Sequence, residues 1–255
     1  MKYSYVLVFS LLSVFSLLAL VPPDAWSEEV VDNSLYAELL AKYVKDGVVD
    51  YQGFKKEEQK LDQYLDLLDK TDPAELSRNE QYAYYINVYN VYTLKLILDN
   101  FKDGKPLDSI KDIGGLFKSP WKIDFVKAGG KVYKLDDIEH NVLRPTFKDP
   151  RVHFAVNCAS KSCPPLISVP YQGDTLDQQL DENTISFLND SKHNYLDGNT
   201  LYVSRIFKWF GGDFNKDEVS FFLKYAQGDL KEQLLTRKDQ IKVKYLDYDW
   251  SLNGS

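Results

Sequence analysis

The sequence predicts an α+β protein in which a helical N-terminal part packs on a small, mostly antiparallel sheet. Leu and Tyr recur at three- and four-residue spacing through the first third of the chain, as in amphipathic helices. Alternating apolar residues and Gly-containing turns follow from residue 119 onward. Because hairpins and irregular loops join the predicted strands more often than regular crossovers do, the order favours α+β over a doubly wound fold.

The predicted elements follow the apolar periodicity and the capping residues in chain order. Asp72-Pro73 stops one helix and Ser77 caps the next. Helices are predicted at 34–45, 57–70, 82–101, 135–143 (ended by Pro145), 175–189 and 216–225, a hairpin at 121–125 and 131–133, and strands at 152–156, 201–203 and 241–245.

The helix predicted at 82–101 is apolar on more than one face, which indicates a central and largely buried helix. Asn87 and Asn90 lie within this apolar setting, three residues apart. Because buried amides must find hydrogen-bond partners, we expect them to hold a neighbouring loop or to line a site.

Residues 1–27 have the features of a cleavable secretory signal. Lys2 precedes an uncharged apolar run at 4–21, Pro22-Pro23 breaks the helix, and Ala25-Trp26-Ser27 offers small residues for cleavage. An uncleaved anchor helix is the alternative. Neither cysteine lies at the junction, so a lipid anchor there is excluded. We therefore expect an exported protein, periplasmic or extracellular, with no stable membrane anchor after cleavage and one globular domain at 28–255.

The net charge of −7 argues against nucleic-acid binding, since phosphate recognition requires clustered Lys and Arg. No cofactor is predicted. A small molecule or a peptide is the expected partner.

Chemically active side chains concentrate between Leu135 and Leu166. This stretch contains two of the three histidines and both cysteines of the chain. The clustering is the strongest sequence signal for a functional site.

The same region resembles the domain of unknown function 547 family over about residues 40–253. The resemblance implies a set of motifs but no reaction. It rests on the blocks Ala83-Tyr84-Tyr85-Ile86-Asn87-Val88-Tyr89-Asn90, Asp137-Ile138-Glu139-His140 with Leu143-Arg144, Asp149-Pro150-Arg151-Val152-His153-Phe154-Ala155-Val156-Asn157-Cys158-Ala159-Ser160, Ser162-Cys163-Pro164-Pro165 and Tyr248-Asp249-Trp250-Ser251-Leu252-Asn253.

A thiol-dependent hydrolase or acyl transferase is the leading hypothesis for the reaction. Cys158 would be the nucleophile and His140 the base that lowers its pKa, while Glu139 or Asn157 would orient the imidazole or an oxyanion. Similar Cys-His pairs serve papain-like peptidases, so by analogy a papain-like layout is expected.

Three other interpretations stay open at this stage. Export favours a Cys158–Cys163 disulfide that stiffens the loop between the two cysteines. Zinc could be bound by His140, His153, Cys158 and Cys163, although the Cys-x4-Cys spacing is long for zinc. A non-catalytic binding module would use the tyrosines of 82–92 and the turn around Trp209 as a groove for a peptide, a glycan or a thiol-containing small molecule.

Overall fold

The structure, a computed structural model, describes residues 30–114 and 118–255. It has the predicted α+β architecture. The predicted secretory signal at 1–27 lies outside the described residues, and the papain-like layout stays a prediction. Among the helices that the structure describes, none is long and apolar enough to cross a membrane.

Helices make up most of the regular structure. The α-helices are α1 Ser34–Tyr43, α2 Tyr51–Lys56, α3 Glu58–Lys70, α4 Arg78–Asp99, α5 Leu135–Asp137, α6 Arg144–Phe147, α7 Leu176–Leu188, α8 Ile206–Trp209, α9 Glu218–Tyr225 and α10 Gly228–Arg237. A π-helical segment, Ile138–Leu143, joins α5 to α6, and short 3-10 turns occupy Ile110–Asp112, Pro120–Lys122, Pro150–Phe154 and Lys238–Gln240.

The strands form three small sheets in the described part of the chain, and each contains an antiparallel pair. The β6–β7 pair is parallel, with Thr200 opposite Lys242. The strands are β1 Val44–Lys45 with β2 Val48–Val49, β3 Val126–Ala128 with β4 Lys131–Tyr133, and β5 Tyr195–Asp197, β6 Thr200–Val203 and β7 Lys242–Tyr245.

Helix α4 is the central element, as the apolar pattern predicts. Ser77 caps it by accepting a hydrogen bond from Glu80 N, and most of its residues are buried. Asn87 pairs with the backbone N–H and C=O of Tyr171. Asn90 donates to Ala155 O and accepts from Asn157 N. Each amide thus donates to a backbone C=O and accepts from a backbone N–H of an irregular segment, as the backbone of a neighbouring strand would. The buried backbone groups of these segments are thereby hydrogen-bonded.

The apolar side chains divide into two clusters. The larger one surrounds α4 and includes helices α1 to α3. The smaller one is rich in phenylalanine and collects side chains from α7, β6 and α9 around Phe207. Phe154 belongs to the smaller cluster and Ala155 to the larger one, so the Pro150–Phe154 turn lies at the boundary between them.

Two sequence predictions at this boundary are wrong. Residues 152–156 were expected to form a strand, but Asp149 caps a 3-10 turn there, and Val152 O accepts from Ala155 N and Val156 N. A short buried apolar run does not distinguish the two conformations. Pro145 was expected to end the preceding helix, but it lies in the first turn of α6. The wider π turn ahead of it tolerates a residue without an N–H group.

Other elements begin or end elsewhere than predicted. Residues 44–45 form β1 rather than the end of α1, and Trp121 lies in a 3-10 turn rather than in the 126–133 hairpin. The hairpin itself turns at Gly129-Gly130, both with positive φ, as the glycines indicate. The short helices α2, α8 and α10 were missed because each depends on tertiary packing more than on a long periodic pattern.

We expect Asn90→Leu to lower the free energy of unfolding by about 2–4 kcal/mol, because it leaves buried Ala155 O and Asn157 N without partners. Urea denaturation measures the change. Asn79→Leu is the matched control in the exposed first turn of the same helix, and it should change stability by less than about 0.5 kcal/mol. Equal effects of the two substitutions would contradict this role of Asn90.

Candidate functional site

A cavity of about 160 Å³ opens between the two apolar clusters. Its lining is mostly apolar, with a few polar groups that come from different segments, which is the usual form of a small-molecule site. The residues that line it are Tyr89, Trp121, Asp136, Glu139, His153, Val156, Cys158, Cys163, Pro164, Ile206, Trp209, Phe210, Tyr248 and Trp250.

One wall of the cavity is aromatic. The ring centroids of Trp209, Tyr248 and Trp250 lie 4.6 to 5.7 Å apart, and Trp121 packs edge-on against Trp250 at 5.5 Å. Trp209 is 45% exposed at the rim. The wall therefore presents aromatic surface both to the cavity and to solvent.

The Cys158 loop is held by the amide of Asn157. Its Oδ1 accepts from Ala159 N and Asn253 Nδ2, and its Nδ2 donates to Pro164 O. Ala159 has φ 58°, a left-handed conformation that is uncommon for a residue with a Cβ. Backbone strain of this kind persists only where surrounding bonds enforce it, and it often accompanies functional positions.

Cys158 is partly exposed to the cavity, and its Sγ lies 3.2 Å from the Tyr248 hydroxyl and 3.3 Å from Ser160 Oγ. Cys163 is buried, and its Sγ accepts from Cys158 N at 2.9 Å. A hydrogen bond from the Cys163 thiol lowers the pKa of Cys158 to about 7, with further help from the Ser160 and Tyr248 hydroxyls. Burial raises the pKa of Cys163 well above its usual value. One thiol is therefore prepared to ionise and the other to stay protonated.

Glu139 projects from the π-helical segment into the same cavity and is 8% exposed. Burial, reinforced by the nearby Cys158 charge, raises the pKa of this carboxyl to about 7. A thiolate and a carboxylate in one apolar cavity each disfavour ionisation of the other. Ionisation of Cys158 therefore favours the neutral form of Glu139.

His140 does not line the cavity with Cys158. Its side chain is exposed on the outer face of the π-helical segment, where Arg144 Nη1 lies 2.9 Å from Nδ1. Arginine can only donate, so Nδ1 of His140 is the acceptor in this pair. Burial and the adjacent Arg144 charge lower the pKa of His140.

Arg144 also bonds to Asp213, and Asp213 in turn contacts a second histidine, His153. Arg144 Nε and Nη2 donate to the two carboxylate oxygens of Asp213 at 2.6 and 3.0 Å. Asp213 Oδ2 also lies 2.7 Å from Nε2 of His153, which is 2% exposed and stacks on Phe210 at a centroid distance of 4.0 Å. His153 and Arg144 together hold the pKa of Asp213 well below its usual value.

The structure thus brings together only part of the predicted catalytic set. Cys158 and Glu139 line one cavity, whereas His140 is not among the lining residues and pairs with Arg144, and Asn157 is bonded to the loop backbone. The zinc set of His140, His153, Cys158 and Cys163 is not assembled, because no group of three metal-binding side chains is close enough in the described residues.

Sequence reasoning missed several residues of the site. Tyr248 is 90 residues from Cys158, and Trp121 comes from a separate loop, so no local spacing connects them. Asp213 stands in a Gly-Gly-Asp-Phe stretch that has the character of a packed turn. The one available signal was the polar content of the Tyr248 to Asn253 block, which lies within the family resemblance.

Comparison with known proteins gives one family. The model described as "Protein of unknown function, DUF547" matches residues 73–188, a range that contains α4, Glu139, His153 and both cysteines. No curated protein matches the chain, and no solved structure does.

The raised pKa of Glu139 predicts a pH-dependent stability. The folded protein holds this proton more tightly than the unfolded chain, so the contribution is complete below pH 4.5 and is lost as the pH rises through about 7. Glu139→Gln stays neutral at every pH. The free energy of unfolding of Glu139→Gln, measured relative to that of the wild type, should therefore increase by up to about 3 kcal/mol between pH 4 and pH 8.

Chemical denaturation at a series of pH values measures this gain. Repeating the comparison in a Cys158→Ser background should give a smaller gain, because the thiolate is the second cause of the raised pKa. A difference between Glu139→Gln and wild type that does not vary with pH would show that Glu139 ionises normally in the folded protein.

Proposed function

Residues 73–188 place this chain in the family of proteins of unknown function DUF547, whose description names no reaction, so we propose a function from the site itself. The protein is a thiol-dependent hydrolase or acyl transferase in which Cys158 is the nucleophile. The observation that carries this proposal is a partly exposed thiol with a pKa of about 7 at an aromatic-walled cavity.

The reaction begins with attack of the Cys158 thiolate on the carbonyl carbon of an acyl compound bound in the cavity. The bond to the leaving group breaks, the leaving group takes up a proton, and a thioester remains on Cys158. Water or an acceptor nucleophile then attacks the thioester, loses a proton, and releases the acyl product and the free thiol. Attack by water gives hydrolysis, and attack by another nucleophile gives acyl transfer.

Glu139 has the properties of a group that stabilises the transition state. In its protonated form, which burial favours, it can donate a hydrogen bond to the carbonyl oxygen, where negative charge develops. A carboxylic acid kept neutral by an apolar setting is a known way to provide such a donor. Tyr248 and Ser160 hold the thiolate in place through their hydroxyls.

Selective alkylation tests the state of the thiol. Iodoacetamide at pH 7 should modify Cys158 at least about 50-fold faster than Cys163, because about half of the Cys158 thiol is ionised there and Cys163 is buried and protonated. The single-thiol variants Cys163→Ser and Cys158→Ser provide matched measurements by mass spectrometry. Because Cys163 supports the ionisation of Cys158, the Cys163→Ala variant should react more slowly than Cys163→Ser, which keeps a donor.

The first chemical step can be tested with a generic activated ester. p-Nitrophenyl acetate should leave an acetyl group on Cys158, mapped by peptide mass spectrometry, and Cys158→Ser should form none. Acetylation confined to surface lysines, with no Cys158 adduct at early times, would contradict a nucleophilic role for Cys158.

A second candidate function is a non-catalytic binding module for a peptide, a glycan or a thiol-containing small molecule. The exposed Trp209 beside Tyr248 and Trp250 favours it. The tyrosines at 82–92, in contrast, are buried, and of these only Tyr89 reaches the cavity. In this alternative the protein is exported and Cys158 is bonded to Cys163. The native protein would then have no free thiol and would form no acyl adduct.

A further inference from the structure

We infer that His153, oriented by Asp213, is the proton acceptor and donor of the Cys158 reaction. This inference rests on the proposed acyl chemistry and adds the residue that the chemistry still requires. It starts from a buried polar atom. His153 Nδ1 has no hydrogen-bond partner in the described part of the chain, while the ring lines the same cavity as Cys158.

Asp213 determines which ring nitrogen of His153 carries the proton. Both oxygens of Asp213 accept hydrogen bonds from Arg144, so the carboxylate is ionised and can only accept. Its 2.7 Å contact with Nε2 therefore requires the proton to be on Nε2. Nδ1 therefore carries no proton, and its lone pair accepts no hydrogen bond from the described residues.

The His153 ring is held at one nitrogen and on one face. Nε2 is anchored by Asp213, and one ring face stacks on Phe210 at 4.0 Å. Arg144 lies over the same Phe210, with its guanidinium carbon 5.0 Å from the ring centroid. A base whose orientation is set by a carboxylate and by packing matches the arrangement that nucleophilic enzymes use.

The other two histidines do not fit the role. His140 is exposed, accepts from Arg144 and is absent from the cavity lining. His193 is bonded through Nδ1 to Asp190 and through Nε2 to Lys161 O. His153 is thus the histidine with a free acceptor nitrogen at the cavity.

In each step of the reaction, His153 Nδ1 accepts a proton from the attacking nucleophile and then donates it to the leaving group. During acylation the proton of Cys158 passes to Nδ1 and then to the leaving group. During deacylation Nδ1 takes a proton from the attacking water and returns it to the Cys158 sulfur. No hydrogen bond joins Nδ1 to Cys158 among the described residues, and Nδ1 is buried, so the proposed transfer requires the ring to move toward the cavity when substrate binds, after which a water or the substrate carries the proton.

The charged groups that act on His153 are Asp213, Arg144 and His140. Burial lowers its pKa and opposes the effect of Asp213, which favours the protonated ring. The resting imidazole is consequently neutral and able to accept a proton at neutral pH.

The test follows p-nitrophenyl acetate turnover by wild type and by His153→Gln, with acylation and deacylation rates measured separately. The deacylation rate of His153→Gln should fall by about 100-fold or more, the usual contribution of general base catalysis, while acetyl-Cys158 accumulates. His193→Gln is the matched control and should deacylate at the wild-type rate. Circular dichroism verifies that each variant folds.

The outcomes separate this inference from the proposed function. The absence of both a Cys158 adduct and Cys158-dependent turnover in the wild type would overturn both. Wild-type turnover with an unchanged deacylation rate in folded His153→Gln, or a loss confined to His140→Gln, would overturn only the role of His153.

If His153→Gln does not fold, wild-type protein with isotope-labelled histidine provides the second measurement. The midpoint of the NMR titration of the His153 ring should equal the midpoint of the rise in deacylation rate with pH. A His153 ring that titrates elsewhere would contradict the inference.

Discussion

The arrangement of the site depends on the hydrogen bonds that the amide of Asn90 makes from the middle of a buried helix. This side chain donates to Ala155 O and accepts from Asn157 N, which fixes the start of the Cys158 loop against α4. Asn157 then extends the support to Ala159 N and Pro164 O, which both follow Cys158 in the chain. An irregular loop can therefore stay ordered without belonging to a sheet, because its buried backbone groups are paired with side-chain amides.

This anchoring explains how a small cavity can hold two ionisable groups with pKa values near 7. The loop presents Cys158 from one side, and the π-helical segment presents Glu139 from the other. Hydrogen bonds to sulfur lower the pKa of the thiol, whereas burial raises that of the carboxyl. The two shifts have opposite directions, so the two groups titrate in the same pH range and each influences the ionisation of the other.

Much of the fold could be predicted from periodicity and caps, because those signals are local. The helices α3, α4 and α7 and the parallel strand β7 lie within a few residues of their predicted positions. The 152–156 segment was mispredicted because a short apolar run does not distinguish a strand from the 3-10 turn that Asp149 caps, and because Ala155 O is paired with Asn90, 65 positions earlier, rather than with a strand. For the same reason the site was only partly predictable. The clustering of Cys158 and Glu139 is visible in the sequence, but the replacement of His140 by His153 at the cavity depends on Asp213 and Phe210, which only the folded chain brings near.

The central claim is that the folded protein lowers the pKa of one specific thiol, and an ultraviolet titration of thiolate absorbance tests it most directly. Wild type minus Cys158→Ser should give a single transition with a midpoint near 7, because hydrogen bonds from Cys163, Ser160 and Tyr248 stabilise the Cys158 thiolate. A midpoint at or above 9, the value of an ordinary thiol, or the lack of any Cys158-dependent transition would contradict the account.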